Sequence, residues 1–336
     1  MSPSDITVVT GAGGMIGSNL VQALHAAGHQ IVACDNLDTL KRVGHLEGFG
    51  FNRWFVPADL PNWVGRNARS VHAIFHLGAI SDTTVTDVRL LQRTNVEFSL
   101  ALWSLACNNN IPFYYASSAA TYGDGSLGFV DNDDLERLVH LQPLNPYAWS
   151  KHSVDIEIVG DWLNGKKVPD RWGGFKFFNV YGPNEEHKEH MRSVVRKIFP
   201  LVMSGQPIQL FRSHKQPWPD GGQMRDFIHV SDAVQMLINA SKARNLGGLF
   251  NVGTGHARSF LDLANATFEA AGTSPRIDFI DMPEKLRAQY QYFTEADVTK
   301  AVAYGIQPVC KTLEQGVTDY VHHLISERER VGHEPI

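Results

Sequence analysis

Three glycines at the start of the first helical pattern constrain the fold of this chain more than any other feature. Gly11, Gly14 and Gly17 recur at a spacing of three, directly after a β-branched run at 6–9. A tight turn, a close backbone approach to a pyrophosphate and close helix–strand packing each exclude a side chain. The amino terminus of the helix also offers unpaired N–H groups to an anion. We therefore predict a dinucleotide-binding turn formed by Gly11, Gly14, Met15, Ile16 and Gly17.

Short β-branched runs alternate with longer helical patterns through the first half of the chain. This alternation is typical of a parallel sheet joined by right-handed helical crossovers. We predict an α/β fold with a doubly wound parallel sheet of the Rossmann type. The predicted strands are 6–9, 31–34, 54–56, 71–75, 113–115, 174–178, 227–230 and 249–252, and the predicted helices are 15–27, 85–109, 147–163 and 312–326.

The pattern changes after residue 178, where loops containing Gly and Pro separate shorter elements. Such loops are better suited to shaping a pocket than to extending a sheet. We expect a smaller, interleaved C-terminal substrate domain. The predicted dinucleotide-binding domain is 1–178, with 224–252 returning to it, and the predicted substrate domain is 179–223 and 253–336.

Length and charge limit the possible partners. A chain of 336 residues is long enough for about two domains. The 30 Lys and Arg against 35 Asp and Glu leave no basic stripe, so nucleic acid is not expected as a partner. No stretch approaches the length and apolarity of a membrane span. Three scattered cysteines and an N-terminus without a signal pattern predict a reducing, cytoplasmic location.

Residues downstream of the glycine turn predict the cofactor. Asp35 ends the second strand about 20 residues on, where a carboxylate accepts hydrogen bonds from the adenosine ribose and by itself favours NAD. Asn36, Lys41 and Arg42 follow, and a 2′-phosphate requires cations at this place, so NADP is favoured over NAD. The alternative is that Lys41 and Arg42 form a solvated helix face. Further predicted cofactor contacts are Asp59, Leu77, Gly78, Ala79, Asn95, Tyr147, Lys151 and Val180.

A tyrosine and a lysine begin the helical pattern at 147–163. Their spacing of four places Tyr147 and Lys151 on one helix face. A phenol with a pKa near 10 is a poor base at neutral pH and needs a nearby cation to favour the phenolate. The segment 116–123, which contains Ser118, presents hydroxyls after the fifth strand. A tyrosine and a lysine at this spacing are usually two exposed surface residues. In a chain that also has the glycine turn, they predict an acid/base site.

The motifs together resemble a known superfamily. TGxxGxxG at 10–17, the Ser118 segment and YxxxK at 147–151 resemble the extended short-chain dehydrogenase/reductases, and NVYGP at 179–183 resembles their nucleotide-sugar epimerase branch. The resemblance implies hydride transfer between a nicotinamide and a sugar carbinol. It also implies Tyr147 as acid/base, Ser118 orienting the hydroxyl, Lys151 tuning the tyrosine, and a homo-oligomer.

Four further stretches resemble the ADP-glyceromanno-heptose 6-epimerases: 115–123, 178–188, 225–227 and 285–297. The resemblance implies inversion of C6 of a nucleotide-activated heptose through a 6-keto intermediate, with re-reduction by the same bound NADP. The product would serve lipopolysaccharide core synthesis. Residue 77 and residue 190, an acidic insertion at 124–136 and a long loop at 216–222 depart from the family pattern.

The same resemblance implies the substrate contacts. Lys188 would be the second acid/base on the opposite face of the sugar from Tyr147, Arg225 would clamp the diphosphate, and Tyr290 would close the pocket. The alternatives are a solvated lysine, a surface ion pair and a core aromatic. The full predicted set is Ser118, Asn179, Lys188, His190, Lys197, Phe211, Arg212, Arg225 and Tyr290.

Other functions stay open at this stage. A UDP- or GDP-hexose 4-epimerase shares every motif except the heptose-like stretches, and a non-catalytic NADP-binding sensor or scaffold shares the glycine turn. A 4,6-dehydratase is disfavoured because Ala119 and Ala120 occupy the places of its acid and base. No metal site is expected: His187 and His190 could share a helix face, but the sequence shows no recognisable metal-ligand motif that joins them to a carboxylate or cysteine, so a solvated loop is favoured.

Overall fold

Twelve strands form three sheets in the computed structural model, which describes residues 6–36, 38–39, 53–287 and 290–331. The strands are β1 (Ile6–Thr10), β2 (Gln30–Cys34), β3 (Arg53–Phe55), β4 (Val71–His76), β5 (Phe113–Ser118), β6 (Trp172–Phe177), β7 (Asn179–Tyr181), β8 (Ile208–Phe211), β9 (Met224–His229), β10 (Leu249–Val252), β11 (Ala257–Ser259) and β12 (Ile277–Ile280).

Helices connect these strands and cover the sheets. They are α1 (Met15–Ala26), α2 (Leu60–Asn67), α3 (Val88–Leu91), α4 (Phe98–Asn109), α5 (Leu135–His140), α6 (Pro146–Leu163), α7 (Val194–Met203), α8 (Val230–Lys242), α9 (Phe260–Ala270), α10 (Glu284–Arg287), α11 (Thr299–Ala303) and α12 (Leu313–Val331). Among the residues described, no helix combines the length and the apolar character that crossing a membrane requires.

The central sheet has seven parallel strands in the order β3-β2-β1-β4-β5-β6-β10. The chain winds outward from β1 in one direction and from β4 in the other. A crevice therefore opens between the carboxyl ends of β1 and β4, which is where open sheets of this kind bind ligands. Thr10 and His76 are paired at the ends of these two strands. The predicted doubly wound parallel sheet is confirmed.

Alternating side chains of the strands build a core on each face of the sheet. On β1, Val9 packs with α1 and α8, whereas its neighbour Val8 packs with α4 and α6. The same alternation holds on β4, where Phe75 joins the first core and Ile74 the second. A strand buried on both faces is rich in apolar and β-branched residues, and the β1 sequence ITVVT is β-branched at every position.

A second region lies beyond the central sheet. Strands β11, β9 and β7 form one small sheet, and β12 pairs with β8 in another. Its largest core packs Tyr181, Phe199, Leu263 and Val317 together. Strand β10 rejoins the central sheet beside β6, whereas β9 pairs with β7 and β11. The predicted domain boundaries stay a prediction.

The acidic stretch at 124–136 folds back on the sheet. Asp131 Oδ2 accepts the Asn251 N–H at 2.7 Å, and Asp133 Oδ1 accepts the Leu249 N–H at 2.7 Å. Lys300 Nζ completes the arrangement 2.6 Å from Asp133. The two carboxylates thus accept hydrogen bonds from backbone N–H groups on the free edge of β10, which would otherwise be unpaired. Burial raises the pKa of Asp131 to about 6.

The long helix predicted over 85–109 is divided. The Asp87 side chain accepts the Leu90 N–H and begins α3 at Val88, and the turn Gln92–Glu97 that joins α3 to α4 is π-helical. Such π turns often occur at functional sites because they reorient one side chain. Here the π turn carries Asn95, which is fully buried.

Candidate active site

The glycine turn places bare backbone at the mouth of the crevice. Gly11 has φ +66°, and a Cβ built on it would lie 2.7 Å from Cα of Gly78. A Cβ on Gly17 would lie 1.9 Å from the Gly11 carbonyl oxygen, so each position requires glycine. Gly14 caps α1 without a side-chain hydrogen bond, which leaves N–H groups of the first turn for an anion. This cradle fits the pyrophosphate of a dinucleotide.

Asp35 lies at the carboxyl end of β2, beside this turn. Its Oδ2 accepts the Gly13 N–H at 2.9 Å and its Oδ1 accepts the Asn36 N–H at 2.7 Å. Burial is the larger effect and raises the pKa of Asp35, while these hydrogen bonds act in the opposite direction. Lys41 and Arg42, the predicted ligands of a 2′-phosphate, lie outside the described residues. Asp59 is exposed at the start of α2.

The loop of Leu77, Gly78 and Ala79 follows β4 and faces the glycine turn. The Gly78 N–H donates to Thr10 Oγ1 at 3.0 Å, and that oxygen lies 2.7 Å from His76 Nδ1. Burial lowers the pKa of His76 to about 3, with a smaller effect from the Lys151 charge, so the ring is neutral. The loop and the turn are thus hydrogen-bonded to each other through uncharged groups.

Asn95 ties this loop to the helix that carries Tyr147. Its Oδ1 accepts the Ile80 N–H at 2.9 Å, and its Nδ2 donates to the Ile80 carbonyl at 3.0 Å. The same Nδ2 donates to Ser150 Oγ at 2.9 Å, and Ser150 donates to the Tyr147 carbonyl. A single buried amide therefore fixes the distance between the predicted cofactor loop and α6.

Tyr147 and Lys151 stand in the first two turns of α6. The helix starts with Pro146 in its first turn, and the Asn145 side chain accepts the Ala148 N–H, which is a favoured helix start. Tyr147 is 8% exposed and Lys151 is 4% exposed. Lys151 Nζ donates to the Ala116 carbonyl at 2.8 Å, which directs the ammonium toward the strand that ends at Ser118.

Burial and hydrogen bonding act in opposite directions on the Tyr147 hydroxyl. Burial raises the pKa of Tyr147, and a side-chain hydrogen bond with Ser118 lowers it. Burial lowers the pKa of Lys151 to about 8, so the ammonium persists at neutral pH. Ser118 Oγ accepts the Ala120 N–H at 3.1 Å, which leaves the Ser118 proton to donate. The structure brings Ser118, from a separate segment, together with the predicted Tyr147–Lys151 pair.

Lys188 lies against the amino terminus of α1. Its Nζ is 3.0 Å from Met15 Sδ, a weak acceptor, and burial lowers its pKa, opposed by Glu185. Burial also lowers the pKa of Lys197, and Glu185 again opposes the effect. His190 points elsewhere: its Nε2 is 3.3 Å from Asp82 and the side chain is exposed.

An aromatic cage in the second region holds Arg225. The guanidinium lies 5.2 Å from the Tyr290 ring centre and 5.6 Å from that of Phe260. Within the described part of the chain it donates to the Met224 carbonyl at 2.8 Å, and burial lowers its pKa. Phe211 packs edge-on against Tyr290. Arg212 instead forms an exposed ion pair with Asp220.

The two remaining predicted residues lie on β7. Asn179 is exposed and Val180 is half buried against the core that contains α1. Ala119 and Ala120 open the short 3₁₀ helix after Ser118 and contribute no acid or base. Within the described ranges, no three His, Cys, Asp or Glu side chains are grouped as metal ligands.

Two buried charged residues behind the site, Asp155 and Lys176, were not identified from the sequence. Lys176 Nζ lies 2.5 Å from Asp155 Oδ2, and both side chains are 0% exposed. Asp155 follows Lys151 by four residues on the same helix face. That continuation of the spacing is the signal that could have identified Asp155. Lys176 gives no such signal, because its position in β6 reads as one polar residue in an apolar strand.

Comparisons with known proteins agree with this geometry. The model of the NAD dependent epimerase/dehydratase family matches residues 7–253. A Fusobacterium nucleatum protein named ADP-L-glycero-D-manno-heptose-6-epimerase is 39% identical over 336 aligned residues, covering 96% of this chain and 98% of the relative. A relative with the same name from Nitratidesulfovibrio vulgaris is 41% identical, covering 95% of this chain and 98% of its own length.

Solved structures show the same relationship. The Helicobacter pylori ADP-L-glycero-D-manno-heptose-6-epimerase superposes with a TM-score of 0.75 at 26% identity, covering 96% of this chain and 97% of that one. The Thermus thermophilus UDP-glucose 4-epimerase in complex with NAD gives a TM-score of 0.73 at 26% identity, covering 95% of this chain and 99% of that one. The glycine cradle, the Tyr147 site and these similarities together show that the chain belongs to the NAD dependent epimerase/dehydratase family.

Proposed function

We propose that this protein is an ADP-glyceromanno-heptose 6-epimerase that works with a bound NADP. The observation that carries the proposal is the assembly of Ser118, Tyr147 and Lys151 beside the glycine turn, in a chain whose full-length relatives bear that name. The product would be a precursor of lipopolysaccharide core. We place the protein in the cytoplasm, where its cysteines stay free thiols.

The proposed dinucleotide site joins the glycine turn, Asp35 and the loop at 77–79. Gly11 and Gly17 admit the pyrophosphate, Asp35 binds the adenosine ribose, and Lys151 bonds the nicotinamide ribose. When bound, the cofactor supplies oxidation of the C6 carbinol and its subsequent reduction. We favour NADP because Lys41 is the sole lysine of the first 150 residues and stands six residues after Asp35. Release of NAD from the purified protein would contradict this choice.

Tyr147 is the proposed base for the C6 hydroxyl. In this proposal the Lys151 ammonium favours the Tyr147 phenolate. The Ser118 hydroxyl donates a hydrogen bond that orients the C6 oxygen of the substrate. All three groups are held by backbone hydrogen bonds or by burial, so they keep their geometry without substrate. A preorganised site of this kind needs little rearrangement to react.

Lys188 is the proposed second proton carrier. Inversion requires that the keto group present its other face, so a second group must donate the returning proton. Burial lowers the Lys188 pKa, and the thioether of Met15 is a weak acceptor that leaves the lysine N–H groups able to reach a substrate oxygen. The lysine would turn from Met15 to the sugar when substrate binds.

The aromatic cage around Arg225 is the proposed diphosphate site. A guanidinium held between Tyr290 and Phe260 presents its planar fork in a fixed direction, which suits bidentate phosphate recognition. Lys197 would add a second cation. The family resemblance supports a homo-oligomer, and we propose that the enzyme assembles with copies of itself.

The substrate assignment is tested by a panel of nucleotide sugars. Purified protein is incubated separately with ADP-D-glycero-D-manno-heptose, UDP-glucose and GDP-mannose, and each product is identified by NMR. We expect inversion at C6 of the heptose and no C4 inversion of the hexoses. Epimerisation of a hexose alone would favour a 4-epimerase, and binding without turnover would favour the sensor hypothesis.

A further inference from the structure

A fully buried ion pair lies behind the proposed catalytic group and has no part in the chemistry described above. Lys176 Nζ and Asp155 Oδ2 are 2.5 Å apart, and both side chains are 0% exposed. Removing two charges from water is costly, and apolar replacements of such pairs are often as stable. Fold stability alone therefore does not explain the pair, and its surroundings indicate what else it does.

Asp155 joins the helix of Tyr147 to the strand of Ser118. It lies on α6, four residues beyond Lys151, and so on the same face. From β5, the Tyr115 hydroxyl donates to Asp155 Oδ1 at 3.0 Å and the Ser117 hydroxyl donates to Oδ2 at 2.7 Å. Ser117 directly precedes Ser118, so this carboxylate fixes the strand end against α6.

Lys176 holds the other side of the same strand end. From β6, its Nζ donates to Thr121 Oγ1 at 2.6 Å, and Thr121 donates to the Ser118 carbonyl at 2.8 Å. The ammonium also lies 5.0 Å from the Tyr122 ring centre. The Ser118 peptide is therefore anchored to Asp155 through Ser117 and to Lys176 through Thr121.

We propose that Asp155 and Lys176 are a positioning pair for the epimerase reaction: together they fix the Ser118 hydroxyl against Tyr147 and set the charge beside Lys151. This proposal rests on the proposed function in one respect: the kinetic tests measure the epimerase reaction. Neither residue touches substrate in this account, and each acts through its neighbours.

The electrostatic part of this role has a direction. The Asp155 carboxylate raises the pKa of Lys151 against the larger effect of burial, and it also raises the pKa of Tyr147. Lys176 balances the carboxylate. Other groups whose pKa responds to Asp155 are His152 on α6, Tyr115 on β5 and Tyr122 in the 3₁₀ helix, and the facing carboxylates are Asp131 and Asp133.

Geometry and charge can be tested with separate variants. Lys176→Met removes the tie to Thr121, and we expect kcat to fall about a hundredfold with KM little changed. Lys176→Arg retains a cation and is expected to recover much of the lost kcat.

Asp155→Asn tests the charge, because it removes the negative charge and keeps the shape of the side chain. The pKa of Tyr147 should fall, and the rising limb of the pH–rate profile should move to lower pH.

Lys300→Met provides a matched control. Lys300 forms a 2.6 Å ion pair with Asp133 at the sheet edge, with both side chains about one-fifth exposed. Its loss should change stability without moving kcat or the pH profile. The double variant Asp155→Leu/Lys176→Met removes both charges of the pair. It should therefore be less prone to misfold than a single variant that leaves one of the two charges buried without its partner. We expect it to fold and to retain the low kcat.

Two results would overturn the proposal. One is full kcat in the folded double variant, and the other is an unshifted Tyr147 titration in Asp155→Asn. That titration is read as an ultraviolet tyrosinate difference spectrum against a Tyr147→Phe baseline, so it needs no sugar. Failure of the wild-type protein to epimerise ADP-heptose would count against the proposed function while leaving the titration result to decide this proposal.

Discussion

Gly11 and Gly78 face each other so closely that a Cβ atom on Gly11 would lie 2.7 Å from Cα of Gly78. Gly11 follows β1 and Gly78 follows β4, so the contact lies at the crevice between the carboxyl ends of these two strands. The Gly78 N–H is held at the same time by Thr10 Oγ1. The proposed dinucleotide site therefore has bare backbone on both sides of this contact.

Gly11→Ala should abolish retention of the cofactor. The new methyl would collide with backbone that cannot move without breaking the Thr10 hydrogen bond. The matched control is Gly28→Ala, since Gly28 has φ +82° but nothing within 4 Å of its Cβ position. In both variants the alanine has to adopt a left-handed backbone conformation, which lowers the free energy of unfolding by about 1 kcal/mol. Cofactor released on denaturation is measured, and equal retention in both variants would contradict the prediction.

Tyr147→Phe should reduce epimerisation by at least about a hundredfold while leaving the cofactor bound. The phenylalanine keeps the ring packing of α6 but removes the hydroxyl that Ser118 contacts. Turnover and bound nicotinamide are measured on the same preparation. Near-normal turnover would remove Tyr147 from its proposed role.

Lys188→Ala should lower the rate of inversion about a hundredfold, because the returning proton loses its donor. Lys166→Ala is the control, since Lys166 is an exposed lysine paired with Asp161. The rate of C6 epimer formation is measured for both variants by NMR of the sugar. Equal rates for the two variants would identify Lys188 as a lysine without a part in proton transfer.

His152 should make the fold sensitive to acid. Burial lowers its pKa to about 4, below the value of about 6.5 for an unfolded chain. Between these values the unfolded state binds the proton, so the free energy of unfolding falls as pH falls, by about 2 kcal/mol at about pH 5.

His152→Phe should make that pH dependence shallower while keeping an aromatic ring against Trp149. The exposed His256 serves as control through His256→Gln. Urea unfolding of the three proteins is compared at about pH 7 and about pH 5. The same pH slope in His152→Phe and in the wild type would contradict the assignment.

Local patterns were sufficient for the sheet and for much of the site. The spacing of Gly11 to Gly17 and that of Tyr147 to Lys151 each lie within one turn or helix, where neighbours in sequence are neighbours in space. The strand predictions for β1 and β10 succeeded because buried parallel strands are short runs made mostly of apolar and β-branched residues.

Contacts between distant segments could not be predicted. Asp155 meets Lys176 only because α6 packs across β5 and β6, and Asp131 meets Asn251 because an irregular stretch follows the sheet edge. The position of Lys188 against Met15 joins residues 173 apart in the chain. No periodicity records such pairings, since they depend on how the elements are stacked.

We propose that the enzyme inverts a single carbon of the heptose and keeps one bound cofactor throughout. The most direct test is incubation of the cofactor-loaded enzyme with ADP-D-glycero-D-manno-heptose in the absence of added nicotinamide, with NMR of the sugar. We expect many turnovers to the C6 epimer and no net change in the amount of oxidised cofactor. Conversion limited to one turnover, or inversion at a carbon other than C6, would contradict it.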